Sequence, residues 1–241
     1  MKTLFLEAPY EKKIKLDSKL IDYLKNNKFQ RLGLFASIQF MDQLEQVKEL
    51  LKDFTLITTK VPRTMHESQL LGCNTYALNV EEVDCYLYIG DGNFHPLALV
   101  LGQKDNKELK EVICNDPRGE MKILTVAGIK TSLKKYRGSL MKFFTSKNIG
   151  VIITIKPGQE QFRPSLALEN KYPDKKFYYF IDNNISFNQL ENFPFIDTWV
   201  NTACPRIGFD DQEMFRRGVI NLTDAMIAEK LLTQESYLNQ G

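Results

Sequence analysis

Val83-Asp84-Cys85-Tyr86-Leu87-Tyr88-Ile89-Gly90-Asp91-Gly92-Asn93-Phe94-His95-Pro96 reads as a strand, a glycine turn and the opening of a helix. Val83, Cys85, Leu87 and Ile89 share one strand parity, which puts them together on a core face. Gly90 and Gly92 permit positive φ, and Pro96 suits the first turn of a helix over 94–102. A strand that runs through a tight turn into a helix is half of a β-α-β unit, and such units build parallel sheets.

The same alternation extends in both directions. On the amino side, 32–36 is a short buried strand and 54–59 a strand with β-branched residues. Between them Met41, Leu44, Val47, Leu50 and Leu51 fall at helical spacing. On the carboxyl side, 109–113 reads as a strand and 121–148 as a long basic helix through Leu133, Tyr136, Leu140 and Phe144. The pattern then restarts. Gly150 opens a continuous apolar run to Ile155, the kind buried in parallel sheets, and strands over 176–181 and 195–200 follow. Asn221-Leu222-Thr223-Asp224 can cap a last helix to about 232. The fold expected is α/β, with two similar small domains, each a parallel sheet flanked by helices. The first covers 1–120, with Ile14, Leu16, Leu20, Ile21 and Leu24 packing on it, 121–148 is a basic connecting helix, and 149–241 is the second.

Composition narrows the function. The chain has 241 residues, 43% hydrophobic and 26% charged, which is globular rather than disordered. A net charge of only +2 gives no chain-wide reason to expect nucleic acid. No apolar run is long enough to span a bilayer, and Met1 to Glu7 reaches an acid too early for a signal peptide, so the expectation is a cytoplasmic protein with no membrane partner. Four cysteines are too few for a disulfide scaffold and none forms a C-x-x-C pair. The two histidines make no zinc pattern.

In open α/β sheets ligands bind at the carboxyl ends of strands, so the strand-to-helix loops carry the candidates. Gly90-Asp91-Gly92 with His95 is either a backbone nest for an anion or a plain turn, and His95 either meets a ligand or packs. Lys156-Pro157-Gly158-Gln159 offers a lysine, a glycine turn and an amide donor, or is simply a tight connector. In Asn201-Thr202-Ala203-Cys204-Pro205-Arg206-Ile207-Gly208-Phe209-Asp210-Asp211, Arg206 either clamps a ligand carboxylate or pairs with Asp210 or Asp211. Cys85 and Cys114 fit the buried structural role usual for a free cysteine. Cys73, in Gln69-Leu70-Leu71-Gly72-Cys73-Asn74, and Cys204 sit instead in loops flanked by glycine or proline. Two convergent thiolates there would suit a soft metal or an iron–sulfur cluster.

Together, Gln69 to Cys73, Tyr88 to Pro96, Thr154-Ile155-Lys156-Pro157-Gly158-Gln159 and Asp197 to Asp211 resemble, in order and rough separation, the diphthamide synthase or 2-(3-amino-3-carboxypropyl)histidine synthase family. The Phe-His-Pro and Lys-Pro-Gly-Gln forms look like those of its archaeal members. The resemblance implies small α/β domains, each giving one cysteine to a central [4Fe–4S] cluster whose open iron engages S-adenosylmethionine. It implies reductive cleavage of a C–S bond to a 3-amino-3-carboxypropyl radical, which adds to a histidine of translation elongation factor 2, the first step of diphthamide synthesis. Cys73 and Cys204 then correspond to two cluster ligands. Gly90, Asp91, Gly92, His95, Lys156, Gly158, Gln159 and Arg206 become candidates for holding the charged end of S-adenosylmethionine.

The stretch resembles only the family's second and third domains. It implies that a further chain supplies the first domain and its cysteine, or that the chain forms a homo-oligomer. The rivals are a noncatalytic accessory partner of a full-length homologue and an unrelated small-molecule-binding α/β protein.

Overall fold

The computed structural model describes residues 8–76, 78, 82–124 and 127–240. Met1 to Glu7, on which the leader reading rested, lie outside the described residues. Two compact units divide the chain. One holds Met1–Lys104 with Glu108–Gly128, the other Asp105–Lys107 with Ile129–Gly241.

The first unit is built on β1 (Arg31–Ala36), β2 (Thr55–Ile57), β3 (Cys85–Ile89), β4 (Val112–Asp116) and β5 (Glu120–Leu124), in the order β2-β1-β3-β4-β5. Parallel pairing joins β1 to β2 and β3, and β3 to β4. Leu32, Leu34 and Ala36 of β1 and Cys85, Leu87 and Ile89 of β3 face one core. Leu20 and Leu24 of helix α1 (Leu20–Asn26) and Leu44 and Val47 of α2 (Leu44–Leu50) close over it. The helix expected over 41–51 opens as a 3-10 turn, Ile38–Gln43, before α2. On the carboxyl side of β3, α3 runs from Phe94 to Leu101.

The long basic helix is shorter than its sequence suggests. Residues 120–124 pair antiparallel with β4, and α4 is Ala127–Thr145. The physical reason is the turn before them. Gly119, at φ +93°, donates its N–H to the Asp116 carbonyl (2.9 Å), and Arg118 ion-pairs with Asp116 (2.8 Å), so the chain doubles back. Glu120 and Lys122 then face solvent while Met121 packs on the core, a strand's period of two. Most of α4 belongs to the second unit, so it is no free-standing connector.

The second unit is a four-stranded parallel sheet in the order β7-β6-β8-β9. Its strands are β6 (Asn148–Thr154), β7 (Lys176–Asp182), β8 (Thr198–Asn201) and β9 (Val219–Asn221). Gly150 lies in β6 because the Trp199 ring of β8 covers it. A Cβ there would come within 2.2 Å of that ring. The helix expected from 222 to 232 is broken in two, Leu222–Met226 and Ala228–Thr233, about a non-helical Ile227 at φ −126°. No helix among the described residues is long and apolar enough to cross a membrane.

Candidate functional site

In the first unit, Ala36 at the end of β1 donates its N–H to the Ser68 carbonyl (2.9 Å) and accepts from Leu70 N–H (2.8 Å). This delivers residues 71–75 to the carboxyl edge of the sheet. Asn74, 1% exposed, then fixes the loop. Its Oδ1 accepts from Leu71 N–H (2.8 Å) and its Nδ2 donates to the Tyr76 hydroxyl (2.8 Å). Burial pushes the Tyr76 phenol above its ordinary pKa, the Asn74 bond lowers it, and neighbouring Cys73 raises it further. The Phe94 ring lies over Gly72, where a Cβ would come within 2.1 Å of it. Half-exposed Cys73 is thus held beside the start of α3.

The glycine turn forms the other part of this edge. Gly90 has φ +154° and Gly92 φ +66°. Gly90 N–H donates to the Asn115 carbonyl (3.0 Å), and Lys122 Nζ from β5 donates to the Gly92 carbonyl (3.2 Å) and to Asn93 Oδ1 (2.5 Å). Asp91 is exposed. The His95 ring lies parallel to Tyr88 at 6.4 Å and edge-on to Phe94 at 5.6 Å. The Cys73 loop and the Gly90–Gly92 turn therefore meet at Phe94.

In the second unit, Lys156-Pro157-Gly158-Gln159 and the Cys204 loop leave the carboxyl ends of the adjacent strands β6 and β8. Gly158 has φ +77°, Lys156 is exposed, and Gln159 N–H closes the turn on the Lys156 carbonyl (3.0 Å). Two buried asparagines brace the Cys204 loop. Asn201 Nδ2 donates to the Cys204 carbonyl (2.9 Å) and to Asn221 Oδ1 (2.8 Å), and its Oδ1 accepts from Ala203 N–H (3.1 Å). Asn221 Nδ2 donates to the Pro205 carbonyl (3.0 Å). Its side chain makes no cap bond to the helix after it, since the amide turns to the loop instead. Tyr136 links this brace to α4, accepting from Asn221 N–H (2.9 Å) and donating to Asp224 Oδ2 (2.5 Å). Burial, with Asp224 beside it, raises the Tyr136 phenol well above its ordinary pKa.

Arg206, its side chain 6% exposed, pairs with Asp210 through Nη2–Oδ2 at 2.7 Å, so the internal ion pair is formed. Burial and the charge of Asp210 raise the Asp211 carboxyl, and Arg206 opposes them. Lys122, Asn74 and Asn201 are not among the residues the sequence marks as site candidates, and Asn221, expected as a helix cap, serves the loop instead. Asn201 stands inside the Val-Asn-Thr-Ala-Cys run and was the most visible of them.

The cysteines divide by environment. Cys85 and Cys114 are wholly buried in β3 and β4, where desolvation pushes both thiols up to about 12. Cys73 and Cys204 are half-exposed in loops. Cys73 and Cys204 are therefore the accessible thiols of the first and second unit respectively, and the two sheet cysteines are closed to any ligand. Among the described residues no three or more Cys, His, Asp or Glu side chains gather to hold a metal ion.

This chain is similar to the 2-(3-amino-3-carboxypropyl)histidine synthases of Pyrococcus horikoshii (28% identical, covering 83% of this chain and 59% of that protein) and Methanocaldococcus jannaschii (27%, covering 91% and 59%). It also matches subunit 1 of the Caenorhabditis elegans enzyme (28%, covering 80% and 49%). It thus spans about half to three-fifths of the length of these curated relatives. The crystal structure of Dph2 from Pyrococcus horikoshii with a 4Fe-4S cluster superposes with a TM-score of 0.71 at 24% identity, covering 97% of this chain and 71% of that one. That likeness establishes the fold as the one inferred from the strand–turn–helix pattern. With residues 1–238 matching the family described as putative diphthamide synthesis protein, the chain belongs to that family.

Proposed function

We propose that Cys73 and Cys204 ligate a [4Fe–4S] cluster in an assembly that transfers a 3-amino-3-carboxypropyl group from S-adenosylmethionine to a histidine of translation elongation factor 2. The observation that supports this reading is the contrast among four thiols. The two in family-like motifs are half-exposed at strand ends, and the other two are sealed in sheets. When bound and reduced, the cluster supplies the electron that breaks a C–S bond of S-adenosylmethionine. The chain's own residues then have positioning work. Gly90, Asp91, Gly92 and His95, with Lys156, Gly158, Gln159 and Arg206, form a set for the ligand's ammonium and carboxylate. The positive-φ turns offer backbone N–H groups, and Arg206 a guanidinium that Asp210 and the incoming carboxylate would share.

A cubane is ordinarily held by more than two thiolates. The remaining thiolate is assigned to protein outside residues 1–241, on a second polypeptide carrying a first family domain or in a second copy. Anaerobic co-expression with such a polypeptide, followed by iron and sulfide analysis, tests the reading. Cys73→Ser and Cys204→Ser should each deplete iron, while Cys85→Ala and Cys114→Ala retain it. Full iron content in both serine variants would instead assign the chain to the accessory role.

A further inference from the structure

Two neighbouring cavities of the second unit share Phe215, Arg216 and Arg217 in their linings. The first, of about 150 Å³, is walled by Phe187, Leu190, Phe193, Trp199 and Phe215, with Glu191 as the acid in its lining. Loops leading into the amino ends of β8 and β9 build it, so it lies at the opposite end of β8 from Cys204. Its rings Phe187 and Phe215 meet edge to face at 5.0 Å, and Phe180 backs Trp199 in the same way at 5.0 Å. That arrangement makes a socket, not the flat platform on which nucleobases stack. It is well below the roughly 300–1,000 Å³ of a cofactor-sized pocket but has room for one apolar side chain.

The second cavity is an open cleft of about 530 Å³ against α4, lined by Lys135, Lys142, Arg216 and Arg217 with one acid, Glu213. Lys135 reaches Glu213 at 2.5 Å and Arg216 reaches Glu191 at 2.8 Å, both across solvent-exposed pairs. Exposed pairs are weak, and a better-placed carboxylate can exchange for either acid. A largely apolar socket that shares Arg216 and Arg217 with a cation-rich cleft is complementary to alternating carboxylates around one apolar anchor.

We propose that this surface binds an acidic peptide segment of a partner protein, with one aliphatic or aromatic side chain seated among Phe187, Trp199 and Phe215. The inference stands independently of the thiolate assignments.

Trp199 is the only tryptophan of the chain, so its emission reports the socket directly. The probe is a short synthetic peptide of aspartate and glutamate around one central leucine, titrated into the full 1–241 chain. A saturable change in Trp199 emission that weakens as salt rises is expected. Replacing the central leucine by alanine should weaken binding roughly tenfold or more, since the socket is then unfilled. The exposed double variant Lys142→Glu/Arg216→Glu should weaken it by a similar factor while circular dichroism stays unchanged. No saturable response, an equal response to the lysine counterpart of the peptide, or full affinity in the double variant would overturn the proposal. An equal emission change with a heparin oligosaccharide, which has no anchor, would also overturn it.

Discussion

At the scale of single residues, four chemically identical side chains should behave as two classes. Iodoacetamide at pH 8 should label Cys73 and Cys204 quickly and leave Cys85 and Cys114 untouched until the chain unfolds, which mass spectrometry resolves. The buried pair also carries a pH dependence of known sign. Their thiols rise from 9.0 to about 12 on folding. Between those values the unfolded chain has lost the protons and the folded chain keeps them. Their contribution to stability is therefore complete below pH 9 and declines as pH climbs toward 12. Urea midpoints should fall across that window, and Cys85→Ala/Cys114→Ala should flatten the fall. Arg206 makes a different test. Arg206→Ala should weaken S-adenosylmethionine binding by about 1.5–3 kcal/mol on calorimetry of the assembled complex, with iron content unchanged. Unaltered affinity would assign Arg206 to its ion pair with Asp210 and not to the ligand.

Among elements, the Cys204 loop is held by side chains that arrive from β8, β9 and α4. Gly208 is part of that brace, because a Cβ there would lie 2.6 Å from Asn221 Oδ1. Gly208→Ala should cost about 1–3 kcal/mol in urea denaturation and speed alkylation of Cys204, since the displaced amide no longer holds the Pro205 carbonyl. Gly138, inside α4, is the contrasting case. Nothing stands within 4 Å of its would-be Cβ, so Gly138→Ala should stabilise by about 0.5–1 kcal/mol in the same assay. These elements also show what a linear reading captures. β3, α3, β6 and their loops were legible because an apolar run, a glycine turn and a helical period are all local signals. β9 was not, because it is only three residues long and its burial depends on its neighbours. Residues 121–124 of β5 read as helix because Lys122 continues the basic run of α4, and only the Asp116–Gly119 turn gives the reversal away. The Asn201–Asn221 bond spans twenty positions, and no local pattern predicts it. The loops that bear the site could thus be read from sequence, but the polar brace that shapes one of them could not.

For the whole molecule, ligand number decides the behaviour of the purified chain. With two half-exposed thiols, 1–241 prepared alone under anaerobic conditions should be either homo-oligomeric or poor in iron, and a stable broad cluster absorbance should not appear in a monomer without a partner. A monomeric preparation with a full complement of iron and sulfide would sink that expectation. The path of the chain has a separate consequence. Residues 105–107 belong to the second unit although β4 and β5 of the first unit follow them. They are held there by Tyr237 N–H on the Asn106 carbonyl (2.6 Å), Gln240 Nε2 on the Lys107 carbonyl (2.7 Å) and the Lys107–Glu235 pair (2.5 Å). The clasping segment is translated after every strand of both sheets. On the ribosome, the first sheet can be complete while this crossing still lacks its clasp. Truncation after Gln234 would freeze that stage, and trypsin should then cut at Lys107 in a chain whose two sheets are otherwise intact.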